Sequence, residues 1–236
     1  MKPPRLLLCT LCCLLSFSMW AQLQKTLPLT TFSKIHYEGQ GSIYLERSDH
    51  TASVRVEAQH EDHLKNVIVE IIDQTLFIRY NLHSPGHPVF ARPRLDIYLT
   101  YRQLDAITVS GKVRIDSNEP IQTHQLDLHA EGFVDLNLEV QLEHFHAFIE
   151  GNVAMTLSGK THSQDIHLEG QGSINAFNLI SQNTVAMVNG TGALYLNVNS
   201  HLEAVAGGLS KIVYKGNPVK RAFNKMGKVS ITEKET

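Results

Sequence analysis

The chain has 236 residues, of which 19% are charged, and 21 Lys and Arg stand against 23 Asp and Glu for a formal net charge of −2. That length suits one or two domains with a sizeable core. The near balance of charge removes any global attraction to nucleic acid or an anionic membrane, and the low charge content with only eight prolines argues against long disorder.

Lys2 and Arg5 form a short basic start, and Leu6 to Trp20 is an almost unbroken apolar run followed by Ala21. The run is short for a bilayer span and has the length of a secretion signal. A signal peptide is expected over residues 1–21, cut after Ala21, with a retained anchor as the competing reading. No transmembrane span is expected after cleavage. The three cysteines, Cys9, Cys12 and Cys13, all lie in this segment. The processed chain would then hold no disulfide, thiolate metal site or cysteine nucleophile. An exported protein without disulfides points to the bacterial periplasm, the outer-membrane surface or the extracellular space.

Residues 22–31 read as a linker, 32–103 as an N-terminal β-rich section, 104–232 as a second β section and 233–236 as a tail. In the first section Ile35–Gly39, Ile43–Leu45, Val54–Val56, Val67–Ile71, Leu76–Tyr80 and Leu95–Leu99 alternate with period two, as strands do. Asp73 and Gln74 suit a tight hairpin turn, and His60–Leu64 a short helical turn. Pro85, Gly86, Pro88 and Pro93 predict a long loop over 82–93.

From Leu104 the chain repeats itself. Six units are centred on Gly111, Gly132, Gly151, Gly170, Gly190 and Gly208, spaced by 21, 19, 19, 20 and 18 residues. A seventh copy is centred on Gly39. Apolar or small residues alternate on either side of each glycine. Two short strands meeting at a glycine corner would point those residues inward. One unit cannot bury its inner face alone, but stacked units form a continuous core. The expected fold is therefore all-β: a β-solenoid of about six rungs of roughly 20 residues each, with the N-terminal section packed on it. An ordinary β-sandwich with turn glycines is the alternative.

Phe32–Ile35 followed by Gly39 and Gly41, the run Val67–Ile78, Leu104–Gly111, and Tyr214, Gly216, Asn217 and Pro218 together resemble the auto-transporter adhesin head family, known as the GIN domain. The resemblance covers about Phe32 to Thr232. It implies an exported bacterial protein with a β-helix-like fold and no catalytic residues. This chain departs from the pattern at Lys112 and Val113, where a second glycine often follows the first. It departs again at Tyr101 and Arg102, which replace a proline usual before Leu104. Both departures alter the surface of the first rung.

If the alternating residues point inward, those between them point outward. Aligned on the glycines, three successive rungs carry Glu131, Glu150 and Glu169; then His129, Phe148 and His167; then Asp127, His146 and Asp165. His36 and Glu38 occupy the matching places in the N-terminal copy. Like charges on neighbouring strands repel unless water, histidine or a cation screens them. Two readings fit: a weak site for a divalent cation or a basic partner, or a solvated polar face. His60 and His63, and His83 and His87, lack the spacing and third ligand of a catalytic zinc site. Lys211, Lys215, Lys220, Arg221, Lys225 and Lys228 make the C-terminal end basic, which suits a solvated cap on the last rung or contact with an anionic partner.

No phosphate loop, nucleophile elbow or serine triad is present. The function expected is a noncatalytic cell-envelope module, adhesin-like or structural, needing no cofactor. Its partner would be a glycan or an envelope protein. A polysaccharide-active enzyme on the same scaffold is the alternative.

Overall fold

Period-two alternation demands extended chain, and strands occupy most of the computed structural model, which describes residues 23–81 and 93–234. The expected signal segment and most of the proline-rich loop lie outside the described residues. The elements in chain order are β1 (Leu23–Pro28), β2 (Lys34–Arg47), β3 (Ser53–Ala58), α1 (Glu61–Lys65), β4 (Val67–Ile72), β5 (Thr75–Tyr80), β6 (Arg94–Tyr101), β7 (Ala106–Ser117), β8 (Ile121–Lys215) and β9 (Lys220–Glu233). The short helix falls at the expected turn. The β4–β5 hairpin closes through Asp73 and Gln74, both at positive φ (49° and 61°), as a tight primed turn requires.

The strands form one mixed sheet in the order β1-β3-β6-β2-β7-β8-β9, with β5 paired to both β2 and β4. The β1, β3 and β6 contacts are antiparallel. Those linking β2, β7, β8 and β9 are parallel. Strand β2 organises the N-terminal part. Its first half, Lys34–Glu38, pairs with β5, and its second half, Gln40–Arg47, pairs with β6. On its other side it runs beside β7 throughout, with Ile35 opposite Ile107, Gly39 opposite Gly111 and Ile43 opposite Ile115. The copy centred on Gly39 thus lies directly against the repeats that follow it.

The glycines stack. Gly111 pairs with Gly132, and Gly208 with Gly227. Within β8, a Cβ added to Gly151 or Gly170 would run into the carbonyl oxygen of the glycine one unit earlier, Gly132 or Gly151. The column runs from Gly39 through Gly208 and continues to Gly227, beyond the six repeats legible in the sequence. A second set, Gly159 and Gly216, lies against the carbonyls of Val140 and Val198 in the same way. The conformation is as restrictive as the space: Gly132 and Gly151 have φ of 103° and 110°, a region L side chains rarely adopt.

Around each column glycine the alternation places Ile107, Val109, Val113 and Ile115, then Leu128, Ala130, Val134 and Leu136, in one core. Farther along β8 the inward phase slips by one residue between Leu142 and Phe145, Thr161 and Gln164, and Ser181 and Thr184. The last two corners are polar and buried. Gln164 Nε2 donates to Ser181 Oγ (3.1 Å) and Thr184 Oγ1 (2.9 Å), and Ser181 Oγ donates to the Asn197 carbonyl (2.9 Å). The Gln164 amide nitrogen and the two hydroxyls satisfy one another and the backbone, while Gln164 Oε1 is buried with no hydrogen-bond partner among the described residues.

Replacing Gly151 by Ala is expected to cost about 2–3 kcal/mol in urea denaturation, because a Cβ meets fixed backbone in a disfavoured conformation. Gly207→Ala is the control. There the nearest atom to a new Cβ is Asn189 Oδ1 at 3.4 Å, so the cost should stay under about 1 kcal/mol. A second expectation concerns Tyr101, which is 2% exposed. Burial pushes its phenol up from 10.0 to about 12, against the opposing pull of the Arg47 charge. The unfolded chain ionises first, so this stabilisation is complete below pH 10 and lost between pH 10 and about 12. Unfolding titrations should show a loss on the order of 2 kcal/mol across that window, absent in Tyr101→Phe.

Candidate functional site

The outward residues beside the glycine column are placed by the parallel register. Ala106, Thr108 and Ser110 of β7 stand opposite Asp127, His129 and Glu131 of β8. Because Gly151 stacks on Gly132 and Gly170 on Gly151, the next two units carry His146, Phe148 and Glu150, then Asp165, His167 and Glu169, in line. The rings confirm the alignment. His129 and Phe148 stack with centroids 5.4 Å apart and planes 5° apart, and His167 meets Phe148 edge-on at 5.3 Å.

Six of the nine expected residues converge on one shallow depression of about 310 Å³: Asp127, His129, His146, Phe148, Asp165 and His167. His146 Nδ1 lies 3.9 Å from Asp165 Oδ2, both side chains half exposed. Gln125, two residues before Asp127 on the same strand, donates from Nε2 to both Asp127 oxygens at 2.9 and 3.1 Å. That contact fixes the carboxylate and went unread in the sequence, although an i, i+2 pair on one face of a strand is a signal for it.

Glu131, Glu150 and Glu169 run beside the glycine column and do not line the depression. Among the described residues, no three His, Asp or Glu side chains gather closely enough to hold a metal ion. His36 and Glu38 are one strand removed from the row, opposite Thr108 and Ser110, and His36 packs instead on Phe77 at 5.2 Å. His60 and His63 touch each other at 5.2 Å beside α1, while His83 and His87 lie outside the described residues.

The motif Tyr214, Gly216, Asn217 and Pro218 forms the turn into β9. A Cβ on Gly216, at φ 101°, would strike the Val198 carbonyl. Tyr214 is buried. Its hydroxyl accepts from Arg221 Nη1 (3.0 Å) and donates to Glu233 Oε2 (3.3 Å), while Arg221 pairs with Glu233 at 2.9 Å and donates from Nε to the Pro218 carbonyl. This network ties the last strand to the one before it. Arg221 and Lys225 stand opposite Leu202 and Ala206, at places that face the core one unit earlier. Charge on the inward side of an edge strand opposes pairing with another chain.

A family model described as "Putative auto-transporter adhesin, head GIN domain" matches residues 31–218. The chain belongs to that family. Solved structures agree on the fold. The GIN domain chain superposes with a TM-score of 0.81 on a protein from Bacteroides fragilis described as a "putative adhesin", at 22% identity over 90% of this chain and 97% of that one. A second "putative adhesin", from Parabacteroides distasonis, gives 0.69 at 19% identity, covering 90% and 97%. A "putative lipid binding protein" from the same species gives 0.64 at 18% identity, also covering 90% and 97%. No curated protein matches the chain. Among the described residues, no helix of this GIN domain is long and apolar enough to cross a membrane.

Arg221→Ala should loosen the end of the GIN domain without unfolding it. Hydrogen exchange in Lys220–Glu233 is expected to accelerate, with amides around Gly111 and Gly132 unchanged. Equal acceleration in both regions would contradict a local tie.

Proposed function

We propose that this GIN domain is a noncatalytic, exported cell-envelope module, and that the depression around Phe148 is where it holds a saccharide. Residues 1–21 act as the export signal in this reading, and 32–232 form one domain. Within it, 104–232 coil as a β-solenoid of about six rungs. The in-register glycine column and the parallel pairing of β2, β7, β8 and β9 support the coil.

One observation carries the binding reading: Phe148, with His129 stacked on it and His167 meeting it edge-on, is flanked by Asp127 and Asp165 in a single open depression. Aromatic faces cover the apolar side of a sugar ring, and carboxylates and imidazoles accept and donate to its hydroxyls. Asp127 is already oriented by Gln125, which lowers the ordering cost of binding. The adhesin description of the family agrees with a binding role. The residues lining the depression include no lysine or arginine, so the charge stabilisation expected of a polysaccharide lyase has no source there.

The test is a glycan array probed with the chain, followed by a reducing-end assay on every sugar retained. Retention without cleavage is expected, weakened at least tenfold by Phe148→Ala. Release of reducing ends that disappears in Asp127→Asn or Asp165→Asn would replace the binder with the enzyme.

A further inference from the structure

An open trough of about 450 Å³ lies on the other side of the glycine column. Its long wall is one row of side chains from five neighbouring strand segments. Arg94 and Lys112 both stand opposite Gln40, one on each side, and Phe133 stands opposite Lys112. Gly151 stacks on Gly132, which sets Asn152 beside Phe133. At a strand spacing of about 4.8 Å, the row from Arg94 to Asn152 spans roughly 19 Å. A second row, two residues along each strand, supplies Ser42, Arg114, Asp135 and Ala154.

The charges in the trough are not equivalent. Arg114 is committed: Nε donates to Asp116 at 2.7 Å, and Nη1 lies 3.6 Å from Asp135. Arg94 is 70% exposed and only loosely matched, its Nε 3.9 Å from Asp96. Among the described residues Lys112 pairs with no carboxylate. Phe133, between Lys112 and Asn152, is 65% exposed, so a large apolar ring is presented to water.

We propose that this trough binds an acidic oligosaccharide laid across the strands, with a uronate carboxylate at Lys112 and Arg94 and a sugar face on Phe133. Each element matches that chemistry. The guanidinium fork and the ammonium take the carboxylate. The exposed ring takes the apolar face of the neighbouring sugar. Gln40, Asn152 and Asp135 offer donors and acceptors for hydroxyls. A polyphosphate or nucleic-acid strand fits less well, because Asp135 would repel successive phosphates and the row carries only two available cations. This site shares no residue with the depression around Phe148, so either can stand without the other.

Calorimetry of the full chain with a panel of uronate tetrasaccharides, galacturonate and glucuronate types, against neutral maltotetraose provides the test. Binding of at least one uronate is expected, absent for the neutral sugar and weakening as salt rises from 50 to about 300 mM. Lys112→Gln and Phe133→Ala should each weaken it at least tenfold. Both side chains are exposed, so melting temperatures should stay at the wild-type value. Phe148→Ala and the pair Lys225→Gln with Lys228→Gln should leave the affinity unchanged. No binding to any uronate overturns the proposal. So does equal binding of maltotetraose, insensitivity to Lys112→Gln and Phe133→Ala, or a loss that follows the C-terminal lysines instead.

Discussion

Backbone packed directly against backbone at the glycine column is the constraint on which the remaining structure depends. At Gly132 and Gly151 the chain turns with positive φ, and the carbonyl of the preceding unit occupies the space a Cβ would need. That close approach holds successive units in one register. Once the register is set, every other residue on either side is committed to the core or to the surface for the length of the stack. The apolar sets around Gly111 and Gly132 coincide because the glycines do.

The same constraint builds both candidate binding surfaces. Residues one, three and five places before the glycines form rows on one side, and residues one and three places after form rows on the other. A parallel, in-register stack turns a repeated sequence position into a line of side chains at strand spacing. His129, Phe148 and His167 become a row of rings in contact this way, and Arg94, Gln40, Lys112, Phe133 and Asn152 a mixed polar and aromatic wall. Such surfaces suit extended ligands, since their features repeat along one direction and remain open to solvent. Neither is a closed pocket of the sort small cofactors occupy.

The two ends of the sheet are managed differently. At the N-terminal end β2 divides its pairing between β5 and β6, and the antiparallel strands β3 and β1 continue the sheet beyond β6. At the C-terminal end β9, among the described residues, pairs with β8 alone. Its Arg221 and Lys225 point where the core would continue, and the Tyr214, Arg221 and Glu233 network pins it down. The basic character of this end thus has a structural use in the fold.

The sequence by itself determined the strand content, the hairpin at Asp73 and Gln74, the helical turn near His60 and the glycine register, because each is a local preference or a repeat. It also determined which residues share the row with Phe148, since one alignment on the glycines places them all. What it left open needed contacts between segments far apart in the chain. The glutamates Glu131, Glu150 and Glu169 belong to the same alignment, yet stay outside the depression, which is lined by the residues three and five places before the glycines and not by those next to them. The polar corner of Gln164, Ser181 and Thr184 follows a one-residue slip in the inward phase that no periodicity signalled. The trough wall joins Arg94 of β6 to Phe133 of β8 through β2 and β7. Only the pairing of β2 with strands on both sides brings those residues together, and that pairing is a tertiary choice.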